Sequence, residues 1–230
     1  MTELVLPLPR PLRRAFGWAS YLRFLLFQRH RHGHLVVEEV GGFPVLVLPH
    51  VFNPKLFHTG ELLAASLDET VVRPGSSVLD LGTGSGVAAV VAARLGARVV
   101  AVDLNPHAVR CTRINALLNH VEGRVDARVG NLFAPVAGQR FDLVLFNPPY
   151  FRGTPRDLLD AAWRSEDVAE RFAVGLAEHL APGGRAIVVL STDGDAPGFL
   201  AALASARLRT KVRRREELWH EVLTVFEVTA

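Results

Sequence analysis

An apolar stretch, Val78-Leu79-Asp80-Leu81, runs straight into Gly82-Thr83-Gly84-Ser85-Gly86 and then into a helical pattern from Val87 to Leu95. A strand that turns this sharply into a helix starts a crossover unit, and such units build parallel sheets covered on both faces. Glycines at alternate positions let the backbone bend and let a ligand come close to the main chain. The spacing departs from the dinucleotide fingerprint, because the third glycine comes one residue early and Val87 fills its usual place. Asp80 also opposes a pyrophosphate and suits a cationic ligand end.

After this loop, strand-like and helix-like stretches alternate: Val99–Val102, Pro106–Leu118, Val125–Val129, Phe141–Phe146, Ser165–Leu180, Ala186–Leu190 and Ala196–Ala206. Pro182-Gly183-Gly184 reads as a helix stop, and Leu208 to Val228 as two antiparallel strands. Right-handed crossovers then bring the strand ends to one edge, so Asp80, Asp103, Asn131 and Asn147 should converge. Asp103 closes its strand where a carboxylate commonly grips two ribose hydroxyls. A nucleoside with a positive tail is implied, namely S-adenosylmethionine.

The strand Phe141–Phe146 ends in Asn147-Pro148-Pro149-Tyr150. Two prolines lock this backbone. They set a fixed amide beside an aromatic ring, which suits holding a flat –NH2 group and aiming its lone pair. Positioning and electrostatics, not a strong base, would carry such a reaction.

On these residues the chain resembles class I S-adenosylmethionine-dependent methyltransferases, and more closely the HemK-like group. The resemblance runs from about Val51 to Val228. It is carried by Asp80 to Gly86, Asp103-Leu104-Asn105-Pro106, Gly130-Asn131-Leu132-Phe133, Asn147 to Tyr150 and Ala161-Ala162-Trp163. It implies a doubly wound, mostly parallel seven-stranded sheet with an antiparallel C-terminal strand, as residues 51–230, behind a basic extension of residues 1–50. Gly82, Gly84 and Gly86 would meet the methionine part of the cofactor. Asp80 would steer its amino group, Asp103 its ribose, Leu104 the adenine face and Asn131 the adenine edge. Asn131 stands where the family usually has aspartate. Thr59 matches a position near the cofactor's carboxylate. Asn147 and the Pro148 carbonyl would accept from the substrate –NH2, on the backbone that Pro149 stiffens, with Tyr150 stacked on the planar group.

The group's acceptors are a protein glutamine, as in translation release factors, other protein side chains, or adenine in RNA or DNA. Ala161-Ala162-Trp163 points to glutamine, although Arg164-Ser165-Glu166-Asp167 follows where glycines are usual. A small-molecule amine, or a cofactor-binding scaffold or RNA-binding module without activity, are the other readings. A small activator or a homodimer are further possible partners.

Composition bounds the rest. With 230 residues, 49% of them hydrophobic, the chain suits one α/β domain with an extension. No run of about 18 apolar residues suggests a membrane span. Arg10, Arg13, Arg14 and Arg23 interrupt any signal-like segment. The single cysteine, Cys111, excludes an internal disulfide and fits a reducing cytoplasm; it reads as packing. Residues 1–37 hold six arginines and one acid, interleaved with Phe16, Trp18, Tyr21, Phe24 and Phe27. That mixture suits nucleic acid, but the spacing of Leu12, Ala15, Phe16, Ala19, Leu22 and Leu26 favours an amphipathic helix over about Leu12 to Gln28. Gly41-Gly42 between two apolar runs predicts a β-hairpin packed near the pocket. Thr59 should open a helix reaching about Thr70. His30, His32 and His34 alternate without metal-ligand spacing, so no metal is expected.

Overall fold

The computed structural model describes residues 33–219 and 221–230. The expected helix over Leu12 to Gln28, its arginines and aromatics, and His30 and His32 lie outside the described residues. The hairpin forms as the Gly-Gly pair predicts: β1 (Val36–Val40) and β2 (Phe43–Val47) pair antiparallel, with Val40 opposite Phe43. Gly41 and Gly42 take φ of 59° and 79°, the left-handed geometry that a tight hairpin requires. Phe43, Val45 and Val47 point into the core while Pro44 is exposed on an edge strand.

The helix α1 (Thr59–Ala65) leads into β3 (Ser77–Leu81), α2 (Val87–Arg94), β4 (Arg98–Asp103), α3 (Pro106–Leu118), β5 (Val125–Val129) and β6 (Phe141–Phe146). A short parallel pair, β7 (Phe151–Arg152) and β8 (Arg164–Ser165), precedes α4 (Val168–His179), β9 (Leu180–Ser191), α5 (Ala196–Ser205), β10 (Arg209–Glu217) and β11 (Val222–Thr229). The main sheet has seven strands in the order β10-β11-β9-β6-β3-β4-β5. β9, β6, β3, β4 and β5 are mutually parallel, and β11 is antiparallel to both β9 and β10. The central strands are buried on both faces, which is why they read as continuous apolar runs. Val78, Leu143 and Ile187 pack with residues of α1, α2 and α3, whereas Leu79, Leu81, Val144 and Phe146 pack with α4 and α5.

Three boundaries differ from the sequence expectation. α1 stops at Ala65, not near Thr70, because the Asp68 carboxylate accepts from the Thr70 and Val71 amides (2.8 and 3.1 Å) and builds a turn. α4 begins at Val168 rather than Ser165, because Arg164 and Ser165 pair with β7. Pro182-Gly183-Gly184 is not a helix stop. α4 has already ended at His179, and β9 runs through the triplet with its register against β6 shifted between Phe141 and Leu143. A Cβ on Gly184 would stand 2.8 Å from the Phe141 carbonyl, so this bulge needs glycine.

Candidate active site

The C-terminal ends of β3, β4, β5 and β6 open into one cavity of about 370 Å³. Asp80, Gly82, Gly84, Asp103, Leu104, Asn131, Asn147, Pro148, Pro149 and Tyr150 all line it. The convergence follows from topology: parallel strands joined by crossovers end at the same edge, and the residue after each strand faces the crevice.

Asp103 holds the loop together. Its carboxylate accepts from the Gly84 amide (2.8 Å) and, through its other oxygen, from the Asn105 amide (2.8 Å). Burial pushes this carboxyl above its ordinary range, and those backbone bonds pull it back. Each oxygen keeps a further lone pair for a ligand. Asp80 is 2% exposed and accepts from the Thr83 hydroxyl at 2.6 Å. Burial lifts its carboxyl to about 7; the Thr83 bond opposes this and the negative charge of Asp103 adds to it. Leu104 is 45% exposed, so it is a rim residue and not a core leucine. Asn131 is also exposed, just past β5.

Two predicted residues do not reach the cavity wall. Gly86 caps α2 with φ 83°, and a Cβ there would stand 2.8 Å from the Thr112 Cα. It lets α2 press against α3 instead of approaching a ligand. Thr59 is buried, and its Oγ1 accepts from Asn147 Nδ2 at 3.2 Å. It therefore touches the Asn147 amide rather than the glycine loop. Tyr150 lines the cavity and has a second contact: its hydroxyl donates to Asn147 Oδ1, so the residue braces the amide. Burial raises the phenol well above its ordinary range, which keeps it a proton donor in this bond.

The sequence reading missed the walls contributed by His50, Phe52, Thr154, Leu158 and Leu159. Phe52 lies against Trp163, ring centroids 5.6 Å apart, which closes the side between the hairpin and the β7–β8 loop. Nothing in a single loop aromatic or loop leucine signals such a role. It also missed Asn115, fully buried on α3. Its Oδ1 accepts from the Leu46 amide (2.8 Å), and its Nδ2 donates to the carbonyls of Leu46 (2.7 Å) and Ser85 (2.8 Å). An asparagine in the apolar stripe of a helix is the signal that could have found it. Cys111 is buried with its thiol 3.1 Å from the Leu46 carbonyl; burial pushes it up to about 11, so it is a packed thiol.

A cavity of this size, with a buried carboxyl facing it and a second carboxylate at its rim, fits a cationic nucleoside. Nothing crowds the glycine loop on that side: the nearest atom to a Cβ on Gly84 would be 3.9 Å away. The fold and the site together define a class I, S-adenosylmethionine-dependent methyltransferase, HemK-like in its markers. The chain belongs to the methyltransferase small domain family, whose model matches residues 42–213. It is 42% identical over 163 residues to a ribosomal protein L11 methyltransferase of Pelotomaculum thermopropionicum, covering 70% of this chain and 47% of that protein. It is 30% identical over 158 residues to a putative protein N5-glutamine methyltransferase of Methanocaldococcus jannaschii, covering 65% of this chain and 76% of that protein. The chain spans about half the length of the L11 relative. Among solved structures, a T. thermophilus 16S rRNA N2 methyltransferase in complex with AdoMet and guanosine shares the fold. The TM-score is 0.63 and the identity 23%, over 84% of this chain and 49% of that one.

Proposed function

We propose that this protein methylates the nitrogen of a planar –NH2 group, and that the group is the side-chain amide of a protein glutamine. One observation carries the reading: the Asn147 amide stands in the cavity wall with both ends tethered, Nδ2 to Thr59 and Oδ1 to the Tyr150 hydroxyl. Fixing Nδ2 on Thr59 sets which way the amide faces. Oδ1 keeps one lone pair beyond the Tyr150 bond, and the Pro148 carbonyl is a second acceptor. Together they take the two N–H groups of the substrate amide and aim its lone pair into the cavity. An acceptor nitrogen delocalised into a carbonyl is a poor nucleophile, so holding it in line is the main service these residues provide. The cofactor, when bound, would supply a sulfonium-activated methyl: the substrate nitrogen would take that methyl and lose a proton to solvent as the carbon–sulfur bond breaks and the neutral thioether leaves. Asp103, Gly82 and Gly84 would hold its nucleoside and methionine ends, Asp80 would meet its amino group, and Leu104 and Asn131 would border the adenine; all of them line the cavity.

Relatives named for a ribosomal protein, for glutamine and for ribosomal RNA share this framework, so the acceptor needs its own test. Purified protein is incubated with cell extract and methyl-labelled cofactor, and the product is treated with protease or nuclease. Protease should release the label. Asn147→Ala should cut labelling by about 10²–10³-fold while leaving cofactor affinity unchanged. Label released by nuclease would replace the glutamine reading with an adenine one.

A further inference from the structure

Thr59 stands behind the cavity wall. It opens α1 with 2% of its surface exposed and reaches Asn147 across 88 residues of chain. The start of this helix has little room to move. His58 before it takes φ of 56°, the His58 carbonyl accepts from the Leu62 amide at 2.8 Å, and a Cβ on Gly60 would stand 2.9 Å from the Pro54 Cβ. From this fixed position Thr59 Oγ1 accepts from Asn147 Nδ2 at 3.2 Å. Burial raises the Tyr150 phenol and a hydrogen bond from Thr59 opposes that shift, so the Thr59 proton points at Tyr150. The Tyr150 hydroxyl in turn donates to Asn147 Oδ1. Three side chains close a ring of hydrogen bonds around the Asn147 amide.

A ring of this kind can run in two senses. Each hydroxyl both donates and accepts, whereas the amide donates only from nitrogen and accepts only at oxygen. In the sense found here, nitrogen faces Thr59 and oxygen faces Tyr150. Turning the amide over would reverse every bond: Nδ2 would donate to the phenol, and Oδ1 would accept from Thr59. The two senses are not equal. A phenol is the better proton donor, and its oxygen is the poorer acceptor because its lone pairs are drawn into the aromatic ring. An alkyl hydroxyl accepts well. The sense found here pairs the best donor, Tyr150, with the best acceptor, Oδ1, and leaves Thr59 the nitrogen.

The sense decides what the cavity can read. Asn147 and Pro148 both line it. With Oδ1 on the Tyr150 side, one lone pair of Oδ1 remains, and the Pro148 carbonyl is an acceptor too. Two acceptors bind two N–H groups and repel a lone pair. Turned over, the amide would offer an N–H at the same corner, and a carbonyl or carboxylate oxygen would fit it instead. We propose that Thr59 is the positioning residue that sets this sense, and that through Asn147 it selects a carboxamide –NH2 over a carboxylate, so that glutamine is taken and glutamate is refused. This rests on the glutamine reading. Without the Thr59 hydroxyl the amide can meet Tyr150 with either end, and the selection is lost.

The test uses the full chain, labelled cofactor, a synthetic peptide with one glutamine, and the same peptide with glutamate in its place. Thr59→Val keeps the shape and removes the hydroxyl. It should lower kcat about tenfold, the scale of one lost hydrogen bond. Cofactor affinity should be retained, which also shows that the variant is folded. Thr59→Ser restores the hydroxyl and should recover most of the rate. The glutamate peptide should inhibit the parent protein poorly, and its inhibition constant should fall about fivefold in Thr59→Val. A residue that only fills space would not move that constant. Added to Tyr150→Phe, Thr59→Val should cause little further loss, because both act on one amide. If the glutamine peptide is methylated and Thr59→Val changes neither kcat nor inhibition by glutamate, or costs cofactor affinity instead, the positioning proposal fails and the glutamine reading stands. If no peptide is methylated and RNA from cell extract takes the label, both fail.

Discussion

On the glycine-loop side of the cavity, the supporting bonds are buried or part-buried and made to backbone. Asn115 ties the hairpin at Leu46 to Ser85, the Thr112 hydroxyl reaches the Gly84 carbonyl (3.4 Å), and Asp103 clasps the Gly84 amide. On the acceptor side, the β7–β8 loop is held by side chains that water also reaches. Arg152 spans Glu170 (2.5 Å) and Asp195 (2.7 Å), and the Thr154 hydroxyl donates to Glu166, all exposed. Bonds buried in a low dielectric hold one geometry firmly, whereas exposed ion pairs are weak and screened. On the proposed function, the difference matches what each half would accept. A cofactor of constant shape suits a rigid cradle. An acceptor presented by another macromolecule suits a wall that can yield.

The sharpest way to break this contrast is Asn115→Ala. Three backbone groups, the Leu46 amide and the Leu46 and Ser85 carbonyls, would lose a buried partner. The expected loss is about 3–4 kcal/mol of unfolding free energy, read by urea denaturation, with a matching loss of cofactor binding. A loss below about 1 kcal/mol would mean that the hairpin does not brace the glycine loop.

Asp80 carries an effect of similar size, and it depends on pH. Its folded-state value of about 7 lies above the ordinary 3.8, so between those values the folded chain holds a proton that the unfolded chain has released. Stability of the cofactor-free protein should therefore fall as pH rises from about 4 to about 7, by on the order of 4 kcal/mol, and level off above. Asp80→Asn should flatten that slope. Cofactor affinity in the native protein should move the opposite way and strengthen as the pH rises through 7, because the ionised carboxyl meets the cationic ligand. A pH-independent stability curve across this window would remove the buried carboxyl from the account.

Asp103→Ala should weaken cofactor binding by roughly 1.5–3 kcal/mol on calorimetry, the scale of lost charge-assisted bonds. It also removes the acceptor of the Gly84 amide, so some stability should go with it. Unchanged affinity would refute the ribose role.

How far the sequence reached differs between the same two halves. The glycine loop was legible because its constraints are local: Asp80 to Gly86 and the carboxylate at Asp103 sit at strand ends whose register the apolar runs dictate. The convergence of Asp80, Asp103, Asn131 and Asn147 followed from crossover topology alone. The Thr59 contact is made across a chain separation that no spacing encodes, whereas Tyr150 meets Asn147 only three residues away and what the motif alone does not specify is that its hydroxyl turns back onto the amide. Thr59 meets Asn147 from 88 residues away. Gly86 shares its motif with Gly82 and Gly84, yet only the position of Thr112 on α3 reveals that it serves packing. The Pro182-Gly183-Gly184 bulge was hidden because the same triplet is ordinary punctuation after a helix.

The smallest expected effect lies on the acceptor side, in Arg152→Ala. The lost pairs are half exposed, so global stability and cofactor affinity should stay close to those of the parent protein. The change should appear locally. The Phe151 and Gly153 amides bond to the Trp163 and Ser165 carbonyls (2.8 and 3.2 Å), and this short pairing is what Arg152 steadies. Their hydrogen exchange should quicken by up to about fivefold while that of Leu79 and Val100 in the central sheet does not change. Added salt should reproduce part of the effect in the unmodified protein, since screening weakens the same pairs. If exchange rises equally in the glycine loop and the β7–β8 loop, the two halves share one stability, and the acceptor wall is no more yielding than the cofactor cradle.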